Sequence, residues 1–508
     1  MRQTALAFLA CALFGLPALA DPITLHARVG SFSVTGTLLS FDGDYYRLAS
    51  EDGVVSLRAA AVQCVGGACP APGETTGFTI AAADSLVDVL VPALVRAFAA
   101  QNALSVDRPS DQDGAVFLLT GNGADTRRFS IKMRRMSTSE AFAELAAQTS
   151  DLAITDRSIS EAEWTILKDA GLGDMTAPGR ERLLALDGLS IVVSPRRETE
   201  DVSLGALAET LSTVTPSWHL LQDGATEPLS LTMRALAEDL PRLNLLLGQV
   251  SASVEYRVNG AGVAQAVRAD PMRLGVLAAS EAGASRALAL REGCGLRHAP
   301  DTTQLATGRY PWMLPIKAYR PDVRASRDLE AFEAFLTSDA AAGVIRRAGF
   351  SRPIAQSVAS DLAERALVAL RLADASRLSE LQTLVSVLSD AEQVGVSVPA
   401  RSDLGPMRGL RRLALRELAD GIASGALPAD RLLLLASGPS PEEAASYAQA
   451  LIAELNDAVP RLSAEQITVL PNGALLPVSC PNAPWADWMT ARVDVWLLPA
   501  TGSPEREN

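Results

Sequence analysis

Two short runs in this chain, Leu152-Ala153-Ile154 and Ile191-Val192-Val193, are apolar at every position. A strand with one wet face alternates apolar and polar residues, so an uninterrupted run of this length belongs to a strand covered on both faces, as in a sheet between layers of helices. The surroundings agree. From residue 77 to residue 355, β-rich runs alternate with helical ones, beginning with Phe78-Thr79-Ile80 and a helix over 85–100. Ser160-Glu161-Ala162-Glu163 has the cap residue and first-turn carboxylates of a helix start. Such βα alternation predicts a mainly parallel α/β sheet with helices on both faces.

The flanks read differently. Over 23–62, Ile23, Leu25 and Ala27, then Phe32, Val34 and Leu38, then Tyr46 and Leu48, then Val55 and Leu57 alternate with other residues between Gly and Asp-Gly turns. Period-two runs with such turns predict a small antiparallel unit of about four strands; the alternative is an N-terminal extension of the next sheet. Pro70-Ala71-Pro72-Gly73 reads as a linker. Past residue 350, helices are expected over 358–388, 407–424 and 442–456, and strands at 432–435, 467–470 and 492–497. That order describes an independent α/β sandwich of about 100–150 residues. The 508 residues are therefore expected to form three folded parts, 21–72, 73–355 and 356–508.

Ahead of them, Arg2, an apolar run over 5–16 and Ala18-Leu19-Ala20 before Asp21 have the order of a cleavable secretory signal. Cys11 behind Phe8-Leu9-Ala10 offers a lipoprotein variant of that reading. The expected compartment is the periplasm. Four cysteines remain after cleavage, and an oxidising compartment permits two disulfides. Cys64 and Cys69 bracket the turn Val65-Gly66-Gly67-Ala68 and are expected to pair; the pairing of Cys294 and Cys480 stays open. With only His26, His219 and His298 in the chain, a zinc site is not expected. A formal charge of −14 argues against nucleic acid or anionic lipid as a partner, but leaves room for a local anion site made of backbone N–H groups and an Arg.

Several motifs occur in a characteristic order: Asp151-Leu152-Ala153-Ile154-Thr155-Asp156-Arg157, the stretch 164–171 followed by Gly173-Asp174, and Leu-Asp-Gly-Leu-Ser-Ile-Val-Val-Ser-Pro at 186–195. After these come 263–276 around Asp270-Pro271, Cys294-Gly295, Tyr310-Pro311 and Ala348-Gly349-Phe350. Together they resemble periplasmic phosphate-binding proteins of the PstS family over 78–353. The resemblance implies a two-lobed type II periplasmic-binding-protein fold that closes on an anion. In such a site the anion is held by hydroxyls and N–H groups at helix N-termini, by an Arg, and by an Asp that accepts a proton from the phosphate.

Carried over, the first loop falls on Ser85 and Leu86, the second on Ser137, Thr138 and Ser139, the acceptor on Asp156 and the anchoring Arg on Arg234. Plainer roles stand beside these: Asp156 with Arg157 as a local ion pair, Ser137 and Thr138 as helix caps, and Arg234 paired with Glu238 one helical turn on. The chain departs from the family four residues after Arg234. A Ser-Gly-Thr that donates to the anion is replaced by Glu238-Asp239-Leu240, and Glu140 stands where small residues are usual. A carboxylate near a bound phosphate repels it by about 4 kcal/mol at a separation of about 4 Å and an effective dielectric of about 20.

At the C-terminal end, Leu476-Pro477-Val478, Cys480 and Arg492-Val493-Asp494-Val495, with Asp403-Leu404 and the run at Leu432 upstream, resemble an OmpA-like domain. That family clamps the diaminopimelate of peptidoglycan with an Asp and an Arg. Those regions here read Ala436-Ser437-Gly438-Pro439 and Tyr447-Ala448-Gln449-Ala450, without either residue.

No nucleophile elbow accompanies the three His, and Gly121 and Gly123 lack the Gly-Lys-Ser/Thr ending of a phosphate loop. The sequence thus predicts a binding protein without cofactor, not an enzyme. Two functions follow: a periplasmic receptor that delivers phosphate or another small ligand to an ABC transporter permease, or an envelope scaffold that has lost its ligand, with peptidoglycan as its candidate partner.

Overall fold

The computed structural model of the chain describes residues 21–71, 75–108, 114–121, 128–177, 179–236, 238–401, 408–460 and 462–500. The segment 1–20 read as an export signal, Pro72-Gly73, Gly123 and Asp403-Leu404 lie outside them. The fold is mixed α/β with several sheets.

The N-terminal alternation produces five strands, one more than expected, in the order Gly53–Arg58, Tyr45–Ser50, Ser33–Phe41, Ile23–Ala27 and Val62–Val65. The last pairs antiparallel with Ile23–Ala27, and Cys64 on it bonds Cys69. Ile23, Leu25, Phe41, Tyr46 and Leu48 form a small core. The sheet is tied to its neighbour: the Arg47 guanidinium donates to Asp151 Oδ1 and to Gln148 Oε1, each at 2.9 Å.

The central sheet runs Val254–Arg257, Ser230–Arg234, Arg273–Ala278, Glu181–Val193, Met313–Tyr319, Leu152–Thr155, Phe78–Ala83, Arg128–Met136, Gly114–Gly121 and Leu104–Asp107. The expectation of a mainly parallel sheet is corrected. Phe78–Ala83 is parallel to both its neighbours, but Met313–Tyr319 is antiparallel to Leu152–Thr155 and to Glu181–Val193, and a hairpin ends the sheet. The helix expected over 85–100 is delayed by a 3₁₀ turn at Asp84–Leu86 and runs Leu90–Gln101.

One strand joins two halves. Glu181–Val193 pairs with Met313–Tyr319 as far as Gly188 and with Arg273–Ala278 from Leu189 onward. Each half has its own apolar core, one around Ile80, Leu94, Phe98, Ile154 and Phe332, the other around Ile191, Trp218, Met233, Leu274 and Trp312. We call them the first and second lobe.

The last sheet runs Ile354–Ser357, Glu392–Pro399, Arg492–Leu497, Leu432–Ser437 and Thr468–Gly473. Helices Leu410–Ala423 and Pro441–Ala458 cover one face; Leu362–Leu372 and Leu378–Ser389 cover the other. The single helix expected over 358–388 is therefore two. It breaks at Ala373, whose backbone is extended, where Asp374 and Ser376 favour local backbone bonds over helix.

This part is fastened to the second lobe and to the shared strand. Cys294 and Cys480 form a disulfide, and fully buried Arg492 donates Nη1 to the Thr307 carbonyl at 2.8 Å and Nη2 to that of Gly308 at 2.7 Å. Arg412 donates to the Glu181 carbonyl at 2.9 Å, and Arg408 pairs with the Glu181 carboxylate at 3.1 Å. Leu410, Trp485 and Met489 complete the apolar core of the second lobe. Among the described residues no helix is long and apolar enough to cross a membrane.

Candidate functional site

The sequence-selected residues meet where the two lobes face each other. Asp156, buried just past the strand Leu152–Thr155, accepts from Ser85 Oγ at 3.0 Å and from Thr138 Oγ1 at 2.9 Å. Thr138 opens the helix Thr138–Ala146, whose cap is Ser137; the Ser137 hydroxyl and Glu140 satisfy each other in a capping box. Leu86 is packed in the core of the first lobe. Ser139 is exposed and accepts from Arg157 Nη2 at 2.8 Å.

From the second lobe comes Arg234, 1% exposed at the end of its strand. The local partner expected from spacing was Glu238. The chain instead turns so that Asp239, first residue of the helix Asp239–Leu247, faces the guanidinium: Nε and Nη2 donate to its two oxygens at 2.8 and 2.9 Å. Nη1 donates to Glu281 Oε2 at 2.7 Å. Glu281 also accepts from the Gly260 N–H at 3.3 Å, at the start of the helix Gly260–Ala269. A Cβ at Gly260 would lie 2.4 Å from the Glu281 carboxyl carbon and would push that carboxylate off its seat. A helix N-terminus is a natural seat for an anion, and a side chain of the protein already sits in it.

The lobes touch through ions. Arg242, one turn into the helix after Asp239, reaches Asp156 at 3.6 Å, Glu238 at 3.7 Å and Asp239 at 3.7 Å. Its two terminal nitrogens are buried and, among the described residues, make no hydrogen bond. Arg157 does not pair with Asp156 as the local alternative had it; it pairs with Glu163 at 2.7 Å and reaches across to Glu238 at 3.4 Å. Three guanidiniums thus meet five carboxyl groups, Asp156, Glu163, Glu238, Asp239 and Glu281.

The electrostatics follow. Burial works against the charge on Asp156, but Arg242, Arg234 and the two hydroxyls outweigh it and hold the carboxyl below its usual range. Burial likewise opposes the Arg234 charge, and Asp239 and Glu281 outweigh it, so this Arg stays protonated. Glu281 is pushed up by burial, which Arg234 only partly offsets. Sequence reasoning missed Arg242 and Glu281. Arg242 carried a signal, as it lies four residues after Glu238; Glu281 is brought in by folding from far along the chain.

No protein-family model matches the chain, and no curated protein matches it. Among solved structures the chain is similar to an ABC-type phosphate transport receptor from Vibrio cholerae, with 17% identity over 54% of this chain and 100% of that one and a TM-score of 0.39. It is also similar to a phosphate ABC transporter substrate-binding protein with bound phosphate from Clostridium perfringens (14% identity, 54% and 98% covered, TM-score 0.39). PstS from Borrelia burgdorferi is a further likeness (14% identity, 55% and 98% covered, TM-score 0.36).

Proposed function

We propose that this chain is an extracytoplasmic scaffold: a two-lobed type II periplasmic-binding-protein architecture, followed by an OmpA-like part, whose interlobe site is closed on its own side chains. The observation that carries this reading is Arg234. Three of its five N–H groups are donated to Asp239 and Glu281, and these two carboxylates already supply the negative charge that an anion would bring to it. The fastening of the C-terminal part to the second lobe and to the shared strand supports it, because a receptor must open and close to load and release. Two disulfides suit an oxidising compartment. Peptidoglycan binding is not part of the reading: Ser437, in the position of the clamp, is buried and accepts from Asn472 Nδ2 at 3.1 Å.

A second reading, a periplasmic receptor for phosphate or a similar small anion that serves an ABC transporter, is favoured by Arg242. One of its unbonded nitrogens lies 3.6 Å from Asp156, the carboxylate to which the Ser85 and Thr138 hydroxyls donate, and a cation, an acceptor and two hydroxyls are the set an incoming anion would need. Calorimetric titration of phosphate into residues 21–508 decides between the two. The wild type is expected to give no heat that depends on Arg234 or Arg242. The variant Glu238→Ser/Asp239→Gly/Leu240→Thr removes two carboxylates worth about 1–4 kcal/mol of repulsion each, and is expected to bind phosphate at least about 100-fold more tightly. Micromolar binding by the wild type that Arg234→Ala abolishes overturns the scaffold reading and establishes a receptor.

A further inference from the structure

Away from the cleft, a cavity of about 320 Å³ opens between the first lobe and the C-terminal part. The start of the strand Glu181–Val193, the end of the helix Arg327–Leu336 and the helix Leu410–Ala423 wall it. Four guanidiniums border it, those of Arg182, Arg352, Arg412 and Arg416, and among the described residues no carboxylate lines it. That concentration is unexpected in a chain with a formal charge of −14.

Arg182 is paired with Glu333, Arg412 donates to the Glu181 carbonyl at 2.9 Å, and Arg416 lies 3.6 Å from Asp420. Arg352 differs. It is only 9% exposed, lines the cavity, and among the described residues has neither a hydrogen bond nor an ion pair. Burial pushes its pKa down to about 10; Glu417 and Asp339 favour the charge from a distance, and Arg346 and Arg416 oppose it. A buried cation without a partner is costly unless something supplies the missing charge.

We propose that this cavity binds a small soluble organic dianion, a phosphate monoester with a short apolar group, with Arg352 as the anchoring contact. A guanidinium presents donors in a fork that matches phosphate oxygens. Arg416, more than half exposed, supplies a second cation at the rim. Leu183, Leu336 and Leu413 supply apolar wall for the ester group. The volume is at the lower end for ligand pockets, enough for a charged head and a compact substituent.

The test is calorimetry and thermal unfolding of residues 21–508 with phenyl phosphate, inorganic phosphate and phenol as probes. Phenyl phosphate is expected to bind and to raise the unfolding midpoint, more than inorganic phosphate does, with no response to phenol. Arg352→Met is expected to weaken binding at least about tenfold, and without probe its midpoint should equal or exceed that of the wild type, because it removes an unpartnered buried charge. Arg416→Gln should weaken binding about threefold at an unchanged midpoint. No response of the wild type to millimolar phenyl phosphate overturns the proposal, as does binding that survives Arg352→Met. A midpoint of Arg352→Met below that of the wild type also overturns it, since Arg352 would then have a structural partner.

Discussion

Asp494→Asn should lower the stability of the protein at neutral pH by about 3–5 kcal/mol, the usual cost of removing one member of a buried ion group and leaving its partners uncompensated. Asp494 is 1% exposed and accepts from Ser397 Oγ at 2.7 Å, with Arg365 at 3.4 Å and Arg309 at 4.0 Å. Burial works against its charge, but Arg309, Arg365 and Arg492 outweigh burial and bring the carboxyl from 3.8 down to about 2. The folded value lies below the unfolded one, so the stabilisation is present above about pH 4 and is lost as pH falls towards about 2. It amounts to about 2 kcal/mol. Urea unfolding of wild type and variant at several pH values checks both statements. The gap between them should narrow from pH 4 downward. A variant within 1 kcal/mol of the wild type at pH 7 would mean that the arginines find other partners.

The second large effect is expected from the disulfide that spans 186 residues. Replacing Cys294 and Cys480 together by Ser should cost about 5 kcal/mol on loop-closure entropy, against about 2 kcal/mol for the Cys64–Cys69 bridge, whose separation is 5. The loss should appear first as release of the C-terminal part from the second lobe. Trp485, packed at that junction and donating to buried Glu292, is a natural fluorescence reporter. If both pairs of substitutions lower the denaturant midpoint equally, the long bridge does not constrain the unfolded chain as supposed.

What the sequence revealed and what it hid follow from how far apart the interacting residues lie. Leu152–Thr155 could be read as a central strand because every residue on it is buried, which leaves no polar alternation to mislead. The Ser160 cap was legible for a similar reason, since its partner Glu163 is three residues away. By contrast, Lys317 and Glu181 are polar yet pair in the interior of the sheet, so the apolar pattern breaks where the strands Met313–Tyr319 and Glu181–Val193 actually run on. Arg492 looked like part of a strand motif, and only the tertiary contact with Thr307 and Gly308 shows what it holds.

In the cleft, residue types were legible and pairings were not. Ser85, Thr138, Asp156 and Arg234 converge from four separate segments. The acids at 238 and 239 could be recognised as foreign to an anion site, but not which of them would turn towards Arg234. That depends on the backbone at the start of the helix Asp239–Leu247, which presents Asp239 inward and leaves Glu238 to the opposite lobe.

The strand Glu181–Val193 limits how this protein can be taken apart. Its first eight residues complete the ladder of one lobe and its last five that of the other. A truncation on either side of Gly188 would therefore leave one fragment with a raw sheet edge in place of a paired interior strand, prone to pair with another chain. Fragments of this protein should be cut outside the shared strand, so that both lobes travel together.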